Sequence, residues 1–153
     1  SVFVNGGRPV RAHLLLYVDD RHGVVLKDER RRPQPSEAII SPQTCATMIA
    51  VMRGVLGPEG SAHGAALRTG FNIPAAGKTG TTNDYRDAWF AGVTPDVSAA
   101  VWMGHDDMRE SLGPGRAGGA IAAPAWMTFI KVAYRNRPTR EFNEVVESAA
   151  AKK

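Results

Sequence analysis

Three short segments rich in β-branched and aromatic residues follow one another between Gly77 and His105. The first is Lys78–Thr82, and the next two read DAWFAGVT and VSAAVWMGH. Residues 94–96, Thr-Pro-Asp, separate the last two with the composition of a tight turn. Short strands joined by tight turns pair with antiparallel neighbours. We therefore predict an antiparallel meander at the centre of the fold.

Helix signals flank this meander on both sides. Ser41 is a typical N-cap and Pro42 suits the first helical position, while Gly57 and Pro58 end the same segment. The predicted apolar face of this helix consists of Thr44, Met48, Val51, Met52 and Val55. The predicted inward face of a closing helix in APAWMTFIKVAYRN consists of Trp126, Phe129, Ile130 and Ala133. The sequence thus predicts an α/β fold of the α+β type, an antiparallel sheet flanked by helices.

The segments outside this centre are more polar or richer in glycine. Residues 8–40 are predicted to hold a hairpin, Val10–Val18 and Gly23–Leu26 around a DDRHG turn, followed by a charged loop. A loop with a short helical turn is predicted for Glu59–Gly70, and a flexible loop for Gly113–Gly119. The predicted divisions are 1–7, 8–40, 41–135 and a polar tail at 136–153 that frays from Glu144.

Composition excludes several classes of protein. The 153 residues carry a net charge of +4, concentrated at 27–32 and 134–140, but neither run is interleaved with stacking aromatics. We therefore predict a solvated basic surface and no nucleic-acid partner. Cys45 is the single cysteine, which excludes an internal disulfide and suits a small buried residue. No run approaches the roughly 18 apolar residues that a membrane span needs.

The stretch IPAAGKTGTTNDYRDAWFAG contains two overlapping motifs. Gly77-Lys78-Thr79 would end a phosphate-binding loop. That motif requires a glycine at position 72, where this sequence has Asn72. A phosphate-binding loop also leads into a helix, whereas a β-branched run follows here. Lys78-Thr79-Gly80 instead matches an element of serine acyl-transferases. Three residues alone also fit an ordinary solvated strand.

The chemistry of acyl transfer explains these residue types. Lys78 supplies a cation for a substrate carboxylate, and Thr79 and Thr81 supply hydroxyls that hydrogen-bond it. Gly80 lacks a side chain, so an extended peptide can lie against the strand as an added strand. A backbone N–H just after the glycine suits a tetrahedral oxyanion.

A longer resemblance supports this interpretation. Ala76–Asp107 closely resembles the corresponding stretch of class A (bifunctional) penicillin-binding proteins. Three further segments resemble parts of that family in the same order: VFVNGG, AIISPQTCATMIAVMRGVL and GGAIAAPAWMTFIKVA. The resemblance spans Val2 to about Ala133 and implies a fold like serine β-lactamases and penicillin-binding transpeptidases. It covers only the C-terminal half of a D,D-transpeptidase domain.

The resemblance implies transfer of an acyl group from D-alanyl-D-alanine stem peptides of peptidoglycan through a serine acyl-enzyme. Carried over residue by residue, it implies catalytic roles for Lys78 and Thr81. The substrate-binding residues that it implies are Thr79, Gly80, Thr81, Thr82 and Asn83. No cofactor and no metal are implied.

The resemblance also implies partners and a location. Peptidoglycan stem peptides and lipid-linked precursors would be the substrates, and β-lactams the inhibitors. The protein would act at the periplasmic face of a bacterial inner membrane, with its anchor and a glycosyltransferase domain outside this chain. The missing N-terminal half of the same domain, or a homodimer, would cover an apolar face that is otherwise exposed.

The nucleophile itself is absent from the chain. None of the seven serines is followed by Lys three positions on or by Asn two positions on. We therefore expect the serine to lie outside these residues and the chain alone not to acylate. A D,D-carboxypeptidase or β-lactamase, and a non-catalytic binding module of the same fold, remain alternatives.

Other polar and aromatic residues receive structural interpretations. His105-Asp106-Asp107 is expected to be a polar strand end, since consecutive residues do not surround a metal. Asp84 and Asp87 are expected to serve a turn and the start of a strand. The aromatic residues expected to point inward are Trp89, Phe90, Trp102 and Trp126.

Overall fold

A computed structural model of the protein describes residues 1–142, in which the chain forms antiparallel sheets, α-helices and short 3-10 turns. In chain order the strands and α-helices are β1 (Tyr17–Asp19), β2 (Val25–Asp28), α1 (Pro42–Arg53), α2 (His63–Thr69), β3 (Ala76–Thr81), β4 (Asp87–Val93), β5 (Ser98–Gly104) and α3 (Ala122–Ala133). This is the predicted α+β class. The tail predicted to fray from Glu144 lies outside the described residues.

Strands β3, β4 and β5 form the predicted antiparallel meander. Gly80 lies opposite Trp89, and Trp89 lies opposite Trp102 in the next strand. The turn between β4 and β5 is held by Thr94, whose Oγ1 accepts a hydrogen bond from the Val97 amide at 2.9 Å. Within residues 1–142, β3 and β5 each pair with β4 alone. Each therefore leaves one edge open.

One face of this sheet packs against α3 and forms the main core. Phe90, Trp126 and Ile130 are fully buried, and the rings of Phe90 and Trp126 are 5.1 Å apart. The Trp126 indole Nε1 also donates to the Ala99 carbonyl at 3.1 Å. A Cβ at Gly92 would lie 2.6 Å from the Trp126 ring. The absence of a side chain at Gly92 thus admits the indole against the sheet.

The opposite face is largely open, which corrects part of the predicted core. Trp89 and Trp102, expected inward, are 45% and 44% exposed. Because successive strand residues point to opposite faces, burial of Phe90 places Trp89 on the other side. Phe129, expected on the inward face of α3, is 51% exposed. These side chains are apolar, but no described element covers them.

Helix α1 begins as predicted, but the face it presents to the core matches the predicted face only in part. Ser41 Oγ accepts a hydrogen bond from the Thr44 amide at 3.1 Å, which forms the expected cap. Cys45 and Ile49 are buried, whereas Val51 is 68% exposed. Met52 and Val55 pack inward as predicted, so the buried face differs from the predicted one mainly in the earlier turns, by about one residue around the helix. Tertiary packing on β3 decided this rotation.

A second, smaller core lies beneath α1. Ile49, Ala76 and Phe142 are buried together, with Phe3 and Met52 packed against them. Phe3 belongs to a 3-10 turn near the start of the chain, Val2–Asn5. Phe142 falls within the segment predicted as a polar tail, so the described part of that segment contributes to the core.

The predicted hairpin forms, but it is shorter and stands apart. Asp20 Oδ1 accepts hydrogen bonds from the amides of His22 and Val24 at 2.8 and 2.9 Å, as the turn composition indicated. Pairing begins only at Tyr17, and Leu14 is fully exposed. No described helix covers either face of β1 and β2. Because no described helix packs against this hairpin, the apolar residues before Tyr17 do not join β1.

Candidate functional site

Strand β3 carries the Lys-Thr-Gly motif at the open edge of the sheet. The Thr82 amide donates to the Asp87 carbonyl, which places Thr82 in a hydrogen-bonded pair with β4. Because such pairs alternate along antiparallel strands, the amide of Gly80 also points to β4. The amides of Thr79 and Thr81 therefore point to the open edge. An extended peptide can hydrogen-bond them there as an additional strand.

The two threonine side chains share one face of β3. Thr79 Oγ1 and Ser61 Oγ are hydrogen-bonded at 2.7 Å, and Thr81 Oγ1 accepts from the Gly118 amide at 3.0 Å. Ser61 precedes α2, and Gly118 lies in the loop before α3. Two separate segments of the chain thus fix these hydroxyls of β3 at the sheet edge.

The loop before α3 approaches β3 closely because it contains two adjacent glycines. A Cβ at Gly118 would lie 2.5 Å from the Gly80 carbonyl oxygen, and one at Gly119 would lie 1.9 Å from the Ser61 carbonyl oxygen. Both glycines are buried. The segment predicted as a flexible loop is therefore packed at this end.

A cleft of about 320 Å³ lies where α2, β3 and this loop meet. Its lining residues are Ser61, Gly64, Ala65, Arg68, Thr79, Thr81, Ala117, Gly119 and Ala120. Hydroxyls and small residues dominate this lining. The cleft can hold a small polar group next to the outward amides of β3.

Lys78 lies on the other face of β3. Its Nζ donates a hydrogen bond to the Thr79 carbonyl at 2.9 Å, and its side chain is exposed. Strand alternation places it on the same face as Trp89, away from the hydroxyls of Thr79 and Thr81. Gly80 shares that face, where an added Cβ would lie 3.1 Å from the Trp89 Cβ. The structure therefore brings together Thr79 and Thr81, with Lys78 across the strand.

The turn after β3 has an uncommon backbone. Asp84 and Tyr85 have φ values of 60° and 53°, the left-handed region that favours glycine. The Thr82 hydroxyl accepts a hydrogen bond from the Asp87 amide at 2.8 Å, and the Tyr85 carbonyl accepts from the Leu112 amide at 2.8 Å. These contacts hold the expected turn at Asp84 and strand start at Asp87.

A shallow concavity opens at this turn, beside the end of β3. The residues that line it are Thr81, Thr82, Asn83, Arg86, Asp87 and Met108. Thr82 and Asn83 thus lie near Thr81 but outside the cleft of the two threonine hydroxyls.

Two residues of the His-Asp-Asp run make ordinary surface contacts with nearby charged side chains. His105 Nδ1 lies 3.6 Å from Glu110 Oε2, and Asp107 pairs with Arg109 at 2.8 Å. Residues 1–142 contain no group of three or more His, Cys, Asp or Glu side chains that could hold a metal ion. None of the helices in that range is long and apolar enough to span a bilayer.

Sequence reasoning missed several parts of this site. Ser61 lay in a segment read as a loop, and its partner Thr79 is 18 residues away. The Gly118-Gly119 pair predicts a flexible loop, although adjacent glycines also mark close backbone approach. Arg68 had no local motif that pointed to the cleft. Contacts of such sequence separation become visible only in the folded chain.

A Lys-Thr-Gly strand at an open sheet edge, in a sheet flanked by helices, is the arrangement of serine acyl-transferases. The family model of the penicillin-binding protein transpeptidase domain matches residues 1–131. The chain belongs to this family.

Curated relatives and solved structures agree with this assignment. The chain is 39% identical over 143 residues to penicillin-binding protein 1A of Neisseria gonorrhoeae, covering 90% of the chain and 17% of that protein. It is 35% identical over 142 residues to penicillin-binding protein 1A of Aquifex aeolicus, covering 93% and 18%. The chain thus spans less than a fifth of the length of these relatives.

The fold is shared with two solved structures. Penicillin-binding protein 1A from Haemophilus influenzae superposes with a TM-score of 0.77 at 23% identity, covering 92% of this chain and 26% of that one. PonA1 from Mycobacterium tuberculosis superposes with a TM-score of 0.76 at 24% identity, covering 92% and 37%. The predicted fold class is confirmed.

Proposed function

We propose that the chain is the C-terminal half of a peptidoglycan D,D-transpeptidase domain and forms one wall of its acyl-transfer cleft. The observation that carries this proposal is the open edge of β3, where outward amides lie beside the hydroxyls of Thr79 and Thr81. A stem peptide ending in D-alanyl-D-alanine fits such an edge as an extended strand. Its terminal carboxylate would accept hydrogen bonds from both hydroxyls.

The reaction needs a serine supplied from outside these residues. Its oxygen attacks the penultimate D-alanyl carbonyl, the peptide bond breaks, and the terminal D-alanine leaves with a proton on its amine. An amine of a second stem peptide then attacks the acyl-enzyme and releases the serine. β-Lactams mimic the donor and remain bound to the serine.

The residues of β3 have separate roles in this proposal. The outward N–H of Thr81 would donate to the oxyanion of the tetrahedral intermediate, a contact worth about 2.7–4 kcal/mol in comparable sites. Lys78, on the face that carries Trp89, would tune the proton network around the serine and attract the carboxylate. Gly80 would let the peptide approach, and Thr82 and Asn83 would contact it from the neighbouring concavity at the end of β3.

The remaining partners follow from the same assignment. Lipid-linked precursors would supply stem peptides, and the preceding half of the domain would cover the open sheet face. The protein would act at the periplasmic face of a bacterial inner membrane, anchored by a segment outside this chain. The chain alone would not acylate, because it lacks a Ser-x-x-Lys element.

Fluorescent penicillin labelling tests the proposal. The complete protein should form a stable adduct, and the isolated 153-residue chain should form none. Transfer of the acyl group to an added amine separates a transpeptidase from a carboxypeptidase, and rapid loss of the adduct indicates a β-lactamase. An unlabelled complete protein would support a non-catalytic binding module instead.

A further inference from the structure

The cleft beside Thr79 and Thr81 contains a cation that the motif does not predict. Arg68, in the last turn of α2, is the only charged residue among the described residues that line it. Its side chain is exposed, and within residues 1–142 its guanidinium forms no salt bridge with a carboxylate. The positive charge is therefore available to a ligand.

A glycine one helical turn earlier lets this side chain reach the cleft. Gly64 also lines the cleft, and a Cβ there would lie 3.3 Å from Arg68 Nη1. The guanidinium thus folds back along α2 over Gly64, on the side where the cleft opens. Any larger residue at position 64 would crowd this position.

The position of Lys78 makes this charge important. Lys78 lies across β3 from the hydroxyls of Thr79 and Thr81, so the lysine of the motif is not on the face of these hydroxyls. A carboxylate that leaves water is costly unless a cation accompanies it. The planar guanidinium fork of arginine matches the two oxygens of a carboxylate. Arg68 has both the charge and the location for this contact.

We propose that Arg68 is a specificity-determining residue that selects ligands ending in a free carboxylate. The inference rests on the proposed function and deepens it. The Arg68 guanidinium pairs with the terminal carboxylate while the hydroxyls of Thr79 and Thr81 orient it. Ligands whose carboxylate is masked lose this contact.

The experiment compares benzylpenicillin with its methyl ester on the complete protein. Acylation efficiency is measured for the wild type, R68Q, R68K and the control R135Q, which removes an exposed arginine outside the cleft. R68Q should acylate roughly 10- to 100-fold less efficiently with the acid, as expected for a lost charge-assisted bond, and equally well with the ester. The acylation efficiency of R68K with the acid should lie between those of the wild type and R68Q, because lysine keeps the positive charge but lacks the two-pronged guanidinium. R135Q should match the wild type.

Ionic strength supplies a readout that a purely structural role would not change. Added salt should slow acylation of the wild type by the acid more than that of R68Q, since salt screens an exposed pair. Equal losses on acid and ester in R68Q, or no loss, would overturn the role of Arg68 and leave the proposed function standing. A wild type that benzylpenicillin never acylates would overturn both.

Discussion

At the scale of single residues, the site depends on positions that lack a side chain. Gly118 and Gly119 bring the loop before α3 against β3, and this contact orients the Thr81 hydroxyl. Gly80 has no side chain that would obstruct a peptide lying against β3. The motif thus supplies chemical groups, while glycines elsewhere in the chain set their geometry.

Gly119→Ala should destabilise the protein by about 1–3 kcal/mol, the usual range for an overpacked position. The added Cβ would meet the Ser61 carbonyl at 1.9 Å, so the loop must move away from β3. Urea unfolding measures the change. Gly54→Ala is the matched control, because its Cβ meets nothing within 4 Å and its φ is −56°. Equal stability of the two variants would contradict the close approach.

At the scale of elements, the largest buried side chain that joins α3 to the sheet is that of Trp126. Trp126→Ala should cost about 3–5 kcal/mol, because Trp126 fills the space between Phe90 and Phe71. Phe129→Ala, on the same helix, should change the free energy of unfolding by about 0.5 kcal/mol or less. Urea unfolding of both variants checks the burial difference. A large loss for Phe129 would instead restore the face predicted from sequence.

A polar clamp ties the end of α3 to the turn between β4 and β5. The buried Thr94 hydroxyl and the Tyr134 hydroxyl are hydrogen-bonded at 2.8 Å, and Tyr134 Oη donates to Asp96 Oδ2 at 3.1 Å. Arg140 also contacts Asp96. The hydrogen bond from Arg140 is the main cause that lowers the pKa of Asp96, with Tyr134 adding to it.

This clamp makes stability depend on pH. A carboxyl whose pKa is lowered by folding stabilises the protein above its unfolded pKa of about 3.9, and the gain disappears as the pH falls through the folded pKa. Asp96→Asn should therefore lower the free energy of unfolding at pH 7 by roughly 1 kcal/mol, a small loss because the carboxylate is partly exposed. The variant should also show a weaker dependence of this free energy on pH below pH 4. Urea unfolding from pH 7 to 3 measures both. Asp106→Asn removes an exposed carboxylate and is the charge-matched control, which should leave the free energy of unfolding at pH 7 unchanged.

At the scale of the whole molecule, the described residues leave much of one sheet face and two strand edges open. Trp89 and Trp102 lie on that face, and a tilted contact of 6.3 Å joins their rings. A large exposed apolar surface is typical of an interaction site. The proposed occupant is the preceding half of the same domain, since the chain spans less than a fifth of its curated relatives.

Acrylamide quenching of tryptophan fluorescence tests this occupant. In the 153-residue chain, Trp89 and Trp102 should be quenched and Trp126 protected, because only Trp126 is fully buried. In the complete protein, quenching of Trp89 and Trp102 should decrease. Trp89→Phe and Trp102→Phe variants assign the signal to each ring. Unchanged quenching in the complete protein would exclude this occupant, and protection only at high chain concentration would indicate a homodimer.

Local signals determined much of the fold in advance. The cap at Ser41, the turn at Thr94 and the hairpin turn at Asp20 form as predicted, because each depends on residues within four positions. Strand β3 begins two residues before the predicted start, and α2 forms a full helix where a short turn was expected. Boundaries and lengths shifted because packing, and not local preference, ends an element.

The sequence by itself determined the antiparallel meander, the helix starts and the Lys-Thr-Gly strand, since these follow from periodicity and short-range turn chemistry. Only the tertiary structure decided which aromatic rings are buried and that Lys78 lies across β3 from Thr79 and Thr81. It also brought Ser61, Arg68 and Gly118 to one cleft. Such contacts join residues far apart in the chain, and no local pattern encodes which distant segments will meet.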